Sequence, residues 1–263
     1  MQTLQKVMRI LELFSRELPE WGVTEVSREL GFPKSTTSEL MAGLMEEGLL
    51  RRTEGGRYRL GWRLFELNQN LLDTTEFRTS ARAVIEELVE TWRETVHLAV
   101  LDGIYAVCIE KLQPSPAVKI LASRIGARIP AHCCSVGKAL LAWEDWERVA
   151  AAASEGFENQ TMPAFTDHTV TTVEDLRKDL EGVRERGYAY DLEERSLGLC
   201  CVAAPIRDSS GEVIAAISIS SPSFRFEESS DKYTGAVLEA ARRISGGESP
   251  GRAPGSRAAG RLR

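Results

Sequence analysis

A chain of 263 residues is long for one small domain and short for three, so one or two domains with a well-buried core are expected. At 43% hydrophobic and 27% charged residues it reads as globular rather than disordered, and no apolar run approaches the length of a membrane span. The net charge of −6 argues on its face against a nucleic-acid partner, yet nine Lys/Arg balance nine Asp/Glu through residue 60, so the first segment is neutral. Arg9, Glu12 and Arg16 interrupt the opening residues, which excludes a signal peptide and points to a cytoplasmic chain with reduced thiols.

Leu4, Val7, Met8, Leu11 and Phe14 follow helical spacing and predict a first amphipathic helix. Thr24 is the expected N-cap of a short second helix, which Gly31 ends in a left-handed conformation. Pro33 suits the first turn of a third helix, whose buried side is read as Thr37, Leu40, Met41, Leu44 and Met45. Its other side carries Ser35, Ser38, Glu39 and Ala42, small or polar residues that let a helix approach a major groove closely. "GLLRRTEGGRYRLG" then predicts two short strands around Gly55-Gly56, with Arg51, Arg52, Arg57 and Arg59 placed to neutralise phosphates. Helix, turn, helix and arginine-bearing hairpin together describe a winged helix-turn-helix over residues 1–61, with Lys34, Ser35, Thr36, Ser38, Glu39 and the four arginines as candidate DNA contacts.

Leu64, Phe65, Leu67, Leu71 and Leu72 predict a linker helix over 62–76, able to bury its stripe on its own domain or on a twin. Phe77, Ala81, Val84, Leu88 and Trp92 continue in helical register into a domain over 77–245. Its predicted order is a hairpin joined at Asp102-Gly103, helical segments at "SVGKALLAWEDWERVAAAAS" and "TTVEDLRKDLEGVRERG", the strand "YAYD", and a second hairpin. Strands of an antiparallel sheet mixed with helices make it α+β. From Gly246 on, a Gly-, Pro-, Ser- and Arg-rich stretch reads as a disordered basic tail, 246–263.

Four of five cysteines come as adjacent pairs, Cys133/Cys134 and Cys200/Cys201. A loop over Asp208 to Gly211, with Arg207 opposite Glu212, sets Cys201 across from Ser218 with Ser220 on the same face. Cys200 and Val202 then face the opposite way. Adjacent strand residues diverge, and no Cys-x-x-Cys occurs, so a CC pair does not give a tetrahedral zinc two ligands. A metal site assembled from both doublets with His132, a redox switch, and a Cys/His catalytic pair using His132 or His97 as base stay open beside the plainer reading. That reading takes Cys108, Cys133 and Cys200 as small buried hydrophobes and Cys201 as pocket lining.

In order and spacing, "LQKVMRILELF…VTEVSRELGFPKSTTSELMAGLMEEGLLRRTEGGRYRLG" resembles the DNA-binding domain of the IclR family of bacterial transcriptional regulators. The resemblance continues through "ETVHLAVLDG", "RIGARIPAHCCSVGKALLA", "GYAYDLEE" and "GLCCVAAPIRDSSGEVIAAISIS" and covers all but the tail. It implies a GAF-like α/β effector-binding domain that holds a small organic or aromatic acid at Cys134, Ser135, Val136, Asp191, Cys201, Ser218 and Ser220. Backbone N–H groups of Ser135 to Lys138 are a natural seat for a carboxylate. The resemblance further implies a repressor that grips a double-stranded operator as a homodimer able to pair into a dimer of dimers, with neither enzyme activity, cofactor, metal nor membrane partner. A thiol- or metal-based sensor using Cys133, Cys134, Cys200 and Cys201 is the alternative. One departure bears on specificity: relatives often carry an aromatic residue and an arginine where this chain has Ser38 and Glu39. A glutamate accepts from cytosine N4 rather than pairing with guanine, which implies a different operator, and the alternative is that Glu39 simply faces solvent.

Overall fold

A computed structural model describes residues 2–73, 76–114, 124–155 and 162–246. The chain divides into two compact units, Met1–Glu76 and Phe77–Arg263. The basic tail read from the sequence lies, from residue 247 on, outside the described residues, as do 74 and 75 in the linker.

The first unit runs α1 (Gln2–Glu12), α2 (Val23–Leu30), α3 (Lys34–Glu46), β1 (Leu50–Arg52), β2 (Tyr58–Leu60) and α4 (Arg63–Asp73). Its core centres on Ile10, Val26, Met41, Leu44, Leu50 and Tyr58, with Val7, Leu11 and Phe14 packed against it. The α1 stripe is therefore rotated from the expected one: Leu4 and Met8 are 68% and 48% exposed, because Ile10 takes the inward position. On α3 the buried residues are Thr37, Met41 and Leu44, while Met45 is exposed. Helix α2 starts one residue before Thr24. Its N-cap is Gly22, whose N–H donates to Glu25 Oε2 (2.9 Å), the Glu half of a capping box, and Thr24 lies inside the helix with no capping role. Gly31 ends α2 at φ 68°, in the left-handed region. Pro33 caps α3 from outside its first turn.

The second unit is built on an antiparallel sheet. Its strands are β3 (Thr95–Asp102), β4 (Tyr105–Leu112), β5 (Arg128–Pro130), β6 (Ala189–Leu192), β7 (Leu199–Arg207) and β8 (Val213–Pro222), in the spatial order β5-β4-β3-β8-β7-β6. α5 (Glu76–Trp92) and α9 (Ser223–Ser245) cover one face, burying Ala81, Val84, Leu88, Phe226, Val237 and Ile244 against Leu98, Val202 and Ile217. The other face is covered by α6 (Ser135–Leu141), α7 (Trp146–Glu155) and α8 (Val173–Arg186). The residues read as one helical stretch from Ser135 break between α6 and α7. The first hairpin turns on Gly103 and Ile104, with Asp102 pairing Tyr105, one residue later than expected.

Small side chains set the spacing on this second face. Ala99, Ala106, Ala203 and Ala216 lie on four neighbouring strands, and Ala99 pairs Ala216. Without bulk there, α6 settles directly on the sheet. It also runs against the short 3-10 turn Ala131–Cys133 so closely that a Cβ on Gly137 would fall 2.3 Å from the Ala131 carbonyl oxygen. Gly137→Ala is expected to destabilise the chain by at least about 2 kcal/mol, since backbone rather than a flexible side chain must move. A thermal transition no lower than that of the native chain would show that the turn yields.

Candidate functional site

The first unit presents Lys34, Ser35, Ser38 and Glu39 on the exposed side of α3, with Thr36 half-buried. Thr37, between them in sequence, turns inward and donates its hydroxyl to Pro33 O (3.1 Å). Arg51 and Arg52 on β1 are exposed, their guanidinium carbons 5.8 Å from the Trp62 ring and 5.9 Å from the Tyr58 ring. The other two wing arginines are engaged within the unit. Arg57 donates to both oxygens of Glu25 (2.9 and 2.7 Å) and to the Glu20 carbonyl (2.9 Å), and Arg59 pairs with the Glu20 carboxylate. The Arg57 fork, helped by the Gly22 N–H, pulls the Glu25 carboxyl down to about 2. Glu25 thus caps α2 and ties the hairpin to it, a link across 32 residues that no local pattern announces.

In the second unit, all seven residues assigned to effector binding line one cavity of about 560 Å³ counted out to its mouth. The sheet register brings them together. Asp191 on β6 pairs Cys201 on β7, which pairs Ser220 on β8; two positions along, Ser218 pairs His97 on β3. Cys134, Ser135 and Val136 enter from the start of α6.

The pairing differs from the one read from the sequence, which set Cys201 opposite Ser218; Ala203 stands there instead. The ladder closes at Arg207 opposite Val213, one residue later than expected, and a bulge between Ile206 and Arg207 adds a second step. Two steps preserve the alternation, so Cys201, Ser218 and Ser220 still share a face. Cys200 and Val202 pack into the opposite core. Cys108, read as a core hydrophobe, also lines the cavity, because it stands two residues from Ala106 on the same face of β4 and pairs Ala99.

Two polar residues of the lining were not anticipated as binding groups. His97, considered only as a catalytic base, accepts or donates at Nδ1 across 3.3 Å to Ser220 Oγ. Burial, then the charge of Lys111, lowers its pKa to about 3, so it is neutral. Arg195 follows β6 in the turn opened by Asp191, whose Oδ1 accepts the main-chain N–H groups of Glu194 (2.8 Å) and Arg195 (3.3 Å). Burial, then the charge of Glu194, raises Asp191 to about 7. Lys138, expected to offer only its backbone, is itself buried: its ammonium bonds Asp179 (2.6 Å) and Glu194 (2.5 Å). Burial opposes that charge, but the two carboxylates more than offset it and hold the lysine protonated.

The five cysteines are free and buried. Burial pushes Cys108 and Cys200 up to about 11 and Cys134 to about 12, and raises Cys133 and Cys201 as well. Thiols so placed carry almost no thiolate, the species that oxidation and metal binding need. Among the described residues no three His, Cys, Asp or Glu side chains gather as a metal-holding group, and no helix is long and apolar enough to cross a membrane.

Comparison with known proteins covers both units. Residues 69–246 match the family described as bacterial transcriptional regulator IclR C-terminal, and residues 3–54 the IclR helix-turn-helix domain. The chain is 36% identical over 228 residues to the HTH-type transcriptional regulator XynR of Escherichia coli (strain K12), covering 86% of this chain and 88% of that one. It is 32% identical over 248 residues to the transcriptional repressor IclR of the same organism, covering 93% and 89%. An IclR homologue from Microbacterium hydrocarbonoxydans, solved in complex with 4-hydroxybenzoate, superimposes with a TM-score of 0.78 at 29% identity, covering 93% of this chain and 98% of that one.

Asp191 yields a pH prediction. Its folded pKa of about 7 lies above the ordinary carboxylate value, so its contribution is fully present at low pH and is lost as pH rises through about 7. Asp191→Asn keeps the acceptor for Glu194 and Arg195 but never ionises. Its stability relative to the native chain is expected to climb by a few kcal/mol between about pH 4 and 7 and then level off. Parallel denaturation profiles across that range would show that the carboxyl is ionised throughout.

Proposed function

The chain belongs to the IclR family of bacterial transcriptional regulators, and on that premise we propose that it is a cytoplasmic repressor whose operator affinity is set by a small organic or aromatic acid. It is a DNA-binding regulator with an effector-binding C-terminal domain, not an enzyme. In this reading residues 1–61 hold the operator, 62–76 link, 77–245 take the effector, and 246–263 form a basic tail. Lys34, Ser35, Thr36, Ser38 and Glu39 meet base edges and nearby phosphates, and Arg51 and Arg52 reach the backbone from the wing. Arg57 and Arg59 act on DNA through the Glu25 and Glu20 links that hold the hairpin in place.

The observation that carries the effector reading is the cavity, where Asp191, Cys201, Ser218 and Ser220 converge within apolar walls, the composition of a small-molecule site. The 4-hydroxybenzoate complex of the Microbacterium relative supports an acid as ligand. Trp62, Phe65, Leu67 and Leu71 leave an apolar stripe exposed on and before α4, which supports a homodimer formed there, with pairs of dimers as the larger assembly. The effector shifts operator binding only by its unequal affinity for the DNA-competent and incompetent arrangements.

The test is titration of fluorescent promoter fragments from the organism's own genome, with and without small carboxylic acids, across a salt series. Native protein is expected to bind at least one fragment with strong salt dependence. Arg52→Gln should weaken binding to all fragments and lower the salt slope by about 1, with the melting temperature unchanged. Arg57→Gln should lower the melting temperature as well, because it frees the hairpin. Cys201→Ser should change the response to acid and leave ligand-free DNA affinity as it was. No salt-sensitive binding to any fragment, with or without acids, would remove the reading.

A further inference from the structure

Among the described residues lining the cavity, Arg195 alone carries a full positive charge, since His97 is neutral. Among the described residues no acid pairs with that charge. Glu194 gives one carboxylate oxygen to Lys138, and Asp191 spends Oδ1 on main-chain N–H groups. The Arg195 guanidinium carbon lies 3.9 Å from the centroid of the Phe165 ring, and its Nε is buried with no hydrogen-bond partner among the described residues. Such stacking occupies the face of the guanidinium and leaves its donors projecting in plane. A buried donor without an acceptor is unfavourable, and a ligand oxygen would relieve it.

We infer that Arg195 seats the carboxylate of the effector and selects monoanionic acids over their uncharged analogues. This rests on the effector reading above and deepens it. A guanidinium fork matches a carboxylate with two parallel donors, which a point charge or a hydroxyl does not. The carboxylate then sits on Arg195 rather than on the backbone N–H groups of Ser135 to Lys138, of which the Lys138 N–H already serves Cys134 O. The remaining polar groups address the other end of the ligand. Ser218, Ser220 and His97 both donate and accept, and Asp191, with its pKa near 7, can do either, so they suit a hydroxyl or keto group rather than a second charge. The ligand class is a small acid with one carboxylate and one uncharged polar group opposite it.

The experiment compares matched acid and amide pairs, pyruvate with pyruvamide and 4-hydroxybenzoate with 4-hydroxybenzamide, by calorimetric titration of the full chain and by thermal shift. Native protein is expected to prefer at least one acid over its amide by about tenfold to a hundredfold. Arg195→Gln should abolish that preference. Arg195→Lys should retain part of it, which guards against reading a packing loss over Phe165 as a charge loss. An equal preference for the acid in native chain and Arg195→Gln would overturn the assignment and leave the effector site standing. Acid and amide binding alike to the native chain would do the same. Failure of every pair to bind the native chain would overturn both this assignment and the acid reading of the cavity.

Discussion

Successive side chains leave a strand on opposite sides, and in the second unit this alternation separates two kinds of interior. Val202, Ala204, Ile217 and Ile219 fill a continuous apolar core under α5 and α9. Their neighbours Cys201, Ala203, Ser218 and Ser220 face α6, where small residues and polar tips leave room. A slip of one residue between β7 and β8 would exchange the two sets, burying hydroxyls in the tight core and emptying the cavity of its polar lining. The bulge near Ile206 is tolerated because, with the longer loop, it displaces the register by an even count.

Around that sheet the charged groups hold in place what the strands do not. The segment after β6 leaves the sheet through the Asp191 turn, and Glu193 sits there at φ 62°, a conformation costly for a side chain with a Cβ. Lys138 on α6 reaches across to Glu194 in this segment and to Asp179 on α8, so one buried cation joins two helices to the loop. Removing it would leave the Glu194 carboxylate without its counter-ion and Asp179 with Arg186 alone, a larger penalty than the pairs themselves are worth. The same loop delivers Arg195 beside Phe165, which places a cation at the cavity although every other lining group is neutral or can become so. In the first unit Glu25 plays the corresponding part by serving α2 and the hairpin at once.

Much of this was legible from residue order. Helical periodicity marked α5 with its buried Ala81, Val84 and Leu88, and Gly31 announced the end of α2. Alternation alone assigned Cys200 and Cys201 to opposite faces before any pairing was known. Errors came where two local rules competed. Thr24 is a good capping residue, but Glu25, reaching back to the Gly22 N–H, fixes the start of the helix earlier. Met45 and Met8 fit an apolar stripe, yet a short helix buries only the side that its few neighbours can cover, and Ile10 and Met41 take those places.

The sequence by itself determined the order of elements, the helix-turn-helix with its wing, the sidedness of the strands and the family to which all of this belongs. These follow from spacing, turn residues and period, which are properties of neighbours along the chain. Only the tertiary structure decided that Arg57 serves Glu25, that Lys138 is a buried strut, that Cys108 and His97 join the cavity wall, and that Arg195 comes to it without a partner acid among the described residues. Each of those outcomes depends on residues tens of positions apart meeting where water is excluded, and the strength of a charge or hydrogen bond is set by that meeting rather than by the identity of the side chain.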